Sequence, residues 1–347
     1  MSTTTNPLPE TAATPKIALL FPGQGSQTVG MGRALYDAYP AARAVFEEAD
    51  DALGFALSDI IFNGPEDTLK LTEHTQPAIL TVSIAALRVL EPELHARHLS
   101  IAYAAGHSLG EYSANVAAHT FSFADAVRTV RARGQFMQSA VPPGQGAMAA
   151  ILGLNLPDIE ATCAGVTAQL RNVEGLPNEV VTPANLNSPD QTVISGSKAA
   201  VERAAELCKE LGAKRTVMLP VSAPFHCPLM MPAQLQLAEQ MVSVAFHHPR
   251  FPVVCNIDAH LHIHADDLRD ALVRQVTGAV RWVQCIHQLQ LSNVTHYIEV
   301  GPGKVLSGLN RQIFKQELQT GARALSTTNI EDPATLEKTL AALTPSS

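Results

Sequence analysis

A chain of 347 residues with 46% apolar and 16% charged side chains can fill a sizeable core and exceeds the usual size of one small domain. One large domain carrying an insertion, or two domains, is therefore expected. Its 32 acidic against 24 basic residues, a net charge of −8, leave no basic footprint for a nucleic acid backbone, so any anionic ligand must be met by individual arginines.

In chain order, Met1 to Pro15 is rich in Thr, Pro and Ala without a basic segment leading into an apolar one, and reads as a disordered leader rather than a signal peptide. Lys16 to Phe21 reads as a strand that stops at Pro22-Gly23, and Arg33 to Leu53 has helical spacing. A second helical pattern runs from Gln76 to Val89, Ile101 to Ala105 reads as a buried strand, and Glu111 to Ala118 as the helix after a tight turn. Such alternation is the signature of a parallel sheet covered by helices. From Gly146 the texture changes to strand Ala147 to Leu152, helix Pro157 to Leu170, strands Val180 to Leu186 and Thr192 to Ser195, helix Lys198 to Leu211, and strand Thr216 to Leu219. That order predicts a ferredoxin-like unit over residues 143–215. The α/β texture then returns with strand Val253 to Ile257, helix Asp266 to Val276, strand His296 to Val300 and a final helix after Gly301-Pro302-Gly303. The fold expected is α/β: a hydrolase-like large domain with a central parallel sheet over 16–142 and 216–325, a ferredoxin-like small domain inserted in it, and a C-terminal tail over 326–347.

Cys163, Cys208, Cys227, Cys255 and Cys285 are odd in number and contain no CxxC pair, so they read as reduced thiols of a cytoplasmic protein. No apolar run reaches the roughly 20 residues that span a bilayer. His260, His262 and His264 alternate along one strand face, a pattern more often solvated than metal-binding when no acidic or thiol companion stands beside it.

Gly106-His107-Ser108-Leu109-Gly110 fits the G-x-S-x-G nucleophile elbow, in which small flanking residues allow a strained turn that lifts the serine hydroxyl clear of the sheet. A strand before it and a helix after it are the context this turn requires. The helix start offers the Leu109 N–H as an oxyanion donor. A serine nucleophile needs a base, and among thirteen histidines His226 stands out in the apolar Val221-Ser222-Ala223-Pro224-Phe225-His226-Cys227 loop. The pattern alone leaves it either a base or a satisfied loop residue. Gly23-Gln24-Gly25 is not a dinucleotide or P-loop fingerprint, because Thr28 stands where G-x-G-x-x-G needs glycine and no G-K-[ST] pair follows.

Six segments together are more specific: Phe21-Pro22-Gly23-Gln24-Gly25-Ser26-Gln27, Gly106-His107-Ser108-Leu109-Gly110-Glu111, Arg133-Gly134-Gln135-Phe136-Met137-Gln138, Asn185-Leu186-Asn187-Ser188-Pro189, the loop ending in His226, and Glu299-Val300-Gly301-Pro302-Gly303. In this order the chain resembles the malonyl-CoA:acyl carrier protein transacylases, from about Lys16 to Ile313. The resemblance implies that Ser108 is acylated, that His226 relays its proton, and that Arg133 grips the malonyl carboxylate. A planar guanidinium suits that task because it can make two parallel hydrogen bonds to a carboxylate. It further implies an oxyanion hole from the Gln24 and Leu109 amides, and a His226 oriented by the Gln275 carbonyl instead of an acid. Asn185 and Asn187 match positions near the substrate, though both also suit a turn before Ser-Pro. Phe225 matches a position where a bulky ring leaves less room for a methyl branch, an effect of about 1–3 kcal/mol.

The implied activity is malonyl transfer from malonyl-CoA to the phosphopantetheine thiol of acyl carrier protein, by a monomer, with no metal, nucleotide or prosthetic group. Lys214 and Arg215 are candidates for docking the acidic carrier, or are ordinary solvated residues. One departure stands out: Val276-Thr277-Gly278-Ala279-Val280 replaces the Asn-Pro step common in relatives after Gln275. The rival readings are a serine esterase or thioesterase of α/β-hydrolase type, whose order of serine, acid and late histidine is not kept because Asp258 follows His226, a polyketide-type acyltransferase, and a non-catalytic binding module.

Overall fold

The computed structural model describes residues 15–221, 223–320 and 325–343, so the expected leader lies, but for Pro15, outside the described residues. Strand β1 (Ile17–Phe21) is buried on both faces, and its alternation divides the large core. Ile17, Leu19 and Phe21 join one apolar cluster while Ala18 and Leu20 join the other, as a parallel strand covered on both sides requires.

After β1 come α1 (Arg33–Ala38), α2 (Pro40–Leu53), α3 (Leu57–Asn63), α4 (Glu66–Lys70) and the long α5 (Thr72–Ala96). The one helix expected over Arg33 to Leu53 is broken at Tyr39, which is extended at φ −127°. Proline excludes the helical conformation from the residue before it and is at home as the first residue of the next helix. Strand β2 (Ile101–Gly106), α6 (Gly110–Ala117) and α7 (Phe123–Ser139) complete this half.

The middle of the chain forms β3 (Gly146–Leu152), α8 (Leu156–Asn172), β4 (Val181–Ser188), β5 (Gln191–Ser197), α9 (Lys198–Glu210) and β6 (Arg215–Met218). Its four strands make a separate antiparallel sheet in the order β4-β5-β3-β6. Two helices cover one face of it around an aliphatic core that includes Ile151, Ile159, Val166 and Ile194.

The chain returns through α10 (Met231–Met241), β7 (Val253–Val254), β8 (Leu261–His262), α11 (Ala265–Arg274), α12 (Trp282–Leu291), β9 (His296–Val300), α13 (Val305–Ile313), α14 (Lys315–Thr320), β10 (Ser326–Ile330) and α15 (Pro333–Leu343). The six-stranded sheet runs β10-β9-β1-β2-β7-β8, parallel except for β8 against β7.

Two sequence expectations need correction here. The C-terminal segment is not a tail: Ser326 to Ile330 pairs with His296 to Val300 as an edge strand, and α15 buries Leu336, Leu340 and Leu343. Ser-Thr-Thr-Asn lacks an apolar run because an edge strand is only half covered. The strand expected over Val253 to Ile257 ends at Val254, where the Cys255 N–H turns to the His260 carbonyl and carries Asn256 under the nucleophile turn. No described helix is long and apolar enough to cross a membrane.

Candidate active site

The site lies where the carboxyl ends of β1 and β2 meet, the usual place for ligands in open α/β sheets. Ser108 sits at φ 51°, a left-handed conformation that costs about 1–3 kcal/mol and is held here by its neighbours. A Cβ on Gly106 would stand 1.9 Å from the Gly110 carbonyl, and one on Gly110 would stand 2.0 Å from the Phe21 oxygen. One on Gly23 would fall 2.3 Å from the His107 oxygen. These three glycines therefore press the loop after β1 against the serine turn, with the His107 N–H donating to the Phe21 carbonyl at 3.0 Å. That contact brings the Gln24 and Leu109 segments together beside Ser108, and neither amide has an acceptor within the described residues.

The Ser108 hydroxyl lies 2.8 Å from His226 Nε2. His226 is itself left-handed, at φ 60°, and buried. Its Nδ1 faces the Gln275 carbonyl at 2.9 Å and the Gly278 carbonyl at 3.2 Å. Two carbonyl acceptors fix the proton on Nδ1 and leave Nε2 as the lone-pair nitrogen toward the serine. Burial, with the Arg133 charge second, pushes the imidazole down to about 3, so it is neutral. The Gly278 departure thus lies at the histidine itself. Its backbone is tied to the small unit, because the Val280 N–H donates to the Ala184 carbonyl and the Leu186 N–H to the Val280 carbonyl.

Arg133, on α7, is only 2% exposed and has no carboxylate within ion-pair distance among the described residues. Nη1 donates to Gln76 Oε1 at 2.7 Å, while Nη2 donates to Gln275 Oε1 at 2.9 Å and to Ser108 Oγ at 3.1 Å. The Tyr112 ring lies 5.3 Å beneath the guanidinium. A buried cation held by neutral groups is costly unless an anion completes it, and the fork points at the serine.

Below the turn lies a polar floor, of which the sequence points only to Gln275. Asn256 Oδ1 accepts the Ser108 N–H at 2.8 Å, and Asn256 Nδ2 donates to the Gly106 carbonyl at 2.8 Å. Gln275 is fully buried at the end of α11, and its Nε2 donates to the Ser108 carbonyl at 3.0 Å. Asn256 interrupts the apolar Val253 to Ile257 stretch, and Gln76 stands between Thr72-Glu73-His74-Thr75 and the apolar Pro77 to Leu80, so neither carries more than a weak local signal.

The pocket over Ser108 encloses about 130 Å³ and is lined by Gln24, Arg133, Met148, Asn185, Phe225 and His226 among others. Asn185 therefore reaches the pocket, whereas Asn187 holds the His107 ring at 2.8 Å. Asp258 does not approach His226. It binds His262 at 3.1 Å and thereby raises that histidine, so the ladder does have an acidic companion. No group of three or more His, Cys, Asp or Glu side chains converges as a metal site among the described residues. All five cysteines are buried and unpaired. Lys214 and Arg215 are exposed on the small unit.

Residues 18–341 match the family described as acyl transferase domain. The chain is 47% identical over 298 residues to the malonyl CoA-acyl carrier protein transacylase of Escherichia coli (strain K12), covering 86% of this chain and 93% of that one. It superposes with a TM-score of 0.85 on the crystal structure of an acyl carrier protein S-malonyltransferase from Vibrio cholerae, at 44% identity over 93% of this chain and 99% of that one. A TM-score of 0.85, at 41% identity over 94% and 99% of the two chains, relates it to a malonyl-transacylase solved in complex with a type II PKS acyl-carrier protein. The chain belongs to the malonyl CoA-acyl carrier protein transacylases of the acyl transferase domain family.

Proposed function

We propose that the protein moves a malonyl group from malonyl-CoA to the phosphopantetheine thiol of an acyl carrier protein through a malonyl-serine at Ser108. The observation that carries this reading is Arg133, a buried cation without a carboxylate partner whose Nη2 lies 3.1 Å from Ser108 Oγ. A carboxylated acyl group on Ser108 would complete it, and an acetyl group would not.

In the first half-reaction Ser108 Oγ attacks the thioester carbon as His226 Nε2 takes its proton. The oxyanion rests on the Gln24 and Leu109 amides, the C–S bond breaks, and the proton passes to the departing thiolate. In the second, the carrier thiol gives its proton to His226, sulfur attacks the ester carbon, the C–O bond to Ser108 breaks, and His226 Nε2 returns the proton to the departing Ser108 Oγ. The Gln275 and Gly278 carbonyls hold the imidazolium that forms in each half, in place of an acid. Side chains and backbone amides supply all of this chemistry, and no metal or prosthetic group enters it. The carbonyl pair at Nδ1 and the bond of Asp258 to His262 also weigh against the hydrolase plan, in which an acid would stand behind the histidine.

Finer parts of the reading share this standing. The strand order of the small sheet supports a ferredoxin-like unit that runs past the expected boundary at 215, because β6 continues in its sheet to Met218, inserted in a hydrolase-like domain that begins at about residue 16, resumes after Met218 and is extended by β10 and α15. Asn185 and Phe225 would shape the acyl pocket, and Asn187 would act through His107. Exposed Lys214 and Arg215 would meet an acidic carrier, and the enzyme would work as a cytoplasmic monomer. A polyketide carrier is an equivalent acceptor chemically, given the neighbour bound to one.

Intact mass after brief incubation with malonyl-CoA tests the core of the proposal. A malonyl adduct is expected on the wild type and none on Ser108→Ala. Arg133→Ala should lose about a hundredfold or more of its preference for malonyl over acetyl, the worth of a charge-assisted pair in a dry site. An adduct surviving Ser108→Ala would overturn the nucleophile, and full release of free malonate without carrier would turn the reading to a hydrolase.

A further inference from the structure

Glu111 is completely buried on the first turn of α6, yet the cycle above makes no use of it. Its Oε2 accepts the Asn256 backbone N–H at 2.7 Å and Gln275 Nε2 at 2.9 Å. Its Oε1 is buried with no hydrogen-bond partner among the described residues, and the Cys255 thiol lies beside the carboxyl. A glutamine amide is nearly symmetric in shape and opposite in chemistry at its two ends, so whatever holds the nitrogen side decides what the oxygen side does. In Gln275 the nitrogen side also reaches the Ser108 carbonyl at 3.0 Å and Asn256 Oδ1 at 3.3 Å, both neutral acceptors. The oxygen side accepts from Arg133 Nη2, the same nitrogen that faces Ser108 Oγ.

We infer that Glu111 is a positioning residue for acyl selection: its carboxylate pins the Gln275 amide, so that Gln275 Oε1 can hold the Arg133 guanidinium beside Ser108. The inference rests on the reading of Arg133 as the partner of the malonyl carboxylate. Without an anion at position 111 the amide loses its strongest acceptor and can turn over, which sets an N–H against the guanidinium N–H. Malonyl transfer depends on that geometry, whereas an acetyl group makes no carboxylate contact.

The carboxyl is faced by Tyr112 on its own helix, Arg133 from α7, Cys255 and Asp258 from the β7–β8 turn, His262 from β8, and Cys285 from α12. Burial pushes it up to about 7, against the hydrogen bonds from Asn256 and Gln275 that hold it down. The carboxylate form prevails above that pH, so malonyl preference is complete on the alkaline side and falls as pH drops. The malonyl carboxylate itself stays ionised over this window.

The test measures kcat/KM for Ser108 acylation by malonyl-CoA and by acetyl-CoA, in the full-length wild type and Glu111→Gln, from about pH 8.5 to about pH 5.5. His226 serves both donors, so its ionisation cancels from the ratio. The wild-type ratio is expected to fall about tenfold with a midpoint near neutrality, and Glu111→Gln to show the low ratio at every pH. The wild-type profile stands alone if the variant folds poorly, which a thermal melt would reveal. A ratio that is flat with pH in an enzyme that acylates normally overturns the role of Glu111 alone. Absence of any malonyl-serine on the wild type overturns the parent reading and this one with it.

Discussion

The two sheets bury different things. The four-stranded unit closes over aliphatic side chains such as Ile151, Ile159, Val166 and Ile194, and its interior asks only for volume and shape. The carboxyl edge of the six-stranded sheet instead buries Glu111, Arg133, Asn256, Gln275 and Gln76, each tied to one or more of the others. Desolvating so many polar groups is a cost that packing alone does not explain, and Gln76, Asn256 and Gln275 each bond Ser108 or Arg133 directly. The small unit contributes to the site from outside, through Met148 and Asn185 on the pocket wall and through the bridge from Ala184 and Leu186 to Val280. Its core sustains the wall, and the network beneath the serine sustains the chemistry.

Substitutions that act on one region only would break or sharpen this contrast. The largest effect is expected from Gly110→Ala, whose new methyl would stand 2.0 Å from the Phe21 oxygen and force the loop carrying Gln24 away from the elbow. A displacement near 1 Å at a reacting centre costs on the order of a hundredfold in rate, so acylation should fall at least that far while a folded core remains by circular dichroism. Wild-type acylation by Gly110→Ala would mean that the contact between the loop and the elbow does not set the oxyanion hole. Ile194→Ala acts on the other region, removing a fully buried side chain from the central strand of the small sheet. It should cost about 2–5 kcal/mol in denaturant unfolding and leave acylation by the folded protein within about twofold. A large loss of acylation without loss of stability would erase the distinction between the two regions.

How far the sequence spoke differs between these regions in the same way. The alternation of strand and helix was legible throughout because burial on a regular element leaves a period, and β1 and β9 fall within a residue of their expected bounds. Breaks were less legible: Tyr39 ends a helix for a reason that lies in Pro40, and the edge strand β10 carries too little apolar surface to announce itself. In the site, Ser108, His226 and Arg133 could be named because they stand in segments whose order resembles a known family. Gln76, Asn256 and the use made of Glu111 could not, since a polar residue held by partners 57, 145 or 164 positions away leaves no local pattern. Asn187 shows the converse, a residue expected near substrate that acts on the His107 ring.

The smallest effect expected is an absence of change, and it separates the histidine from the floor beneath it. An ordinary imidazole titrates near 6.5, so a base of that kind would lose about tenfold of its active form between pH 7.5 and 5.5. Burial and the Arg133 charge hold His226 down to about 3, and a depressed value means that the neutral form persists as the solution becomes acid. Acylation by acetyl-CoA, which makes no carboxylate contact, should therefore stay flat within about twofold from pH 7.5 to 5.5, while acylation by malonyl-CoA bends downward near neutrality as Glu111 takes up its proton. A parallel tenfold fall for both donors would assign the titration to His226 and show that its burial does not keep it neutral. Divergence of the two curves places the pH response under the serine, in a group that never touches the substrate.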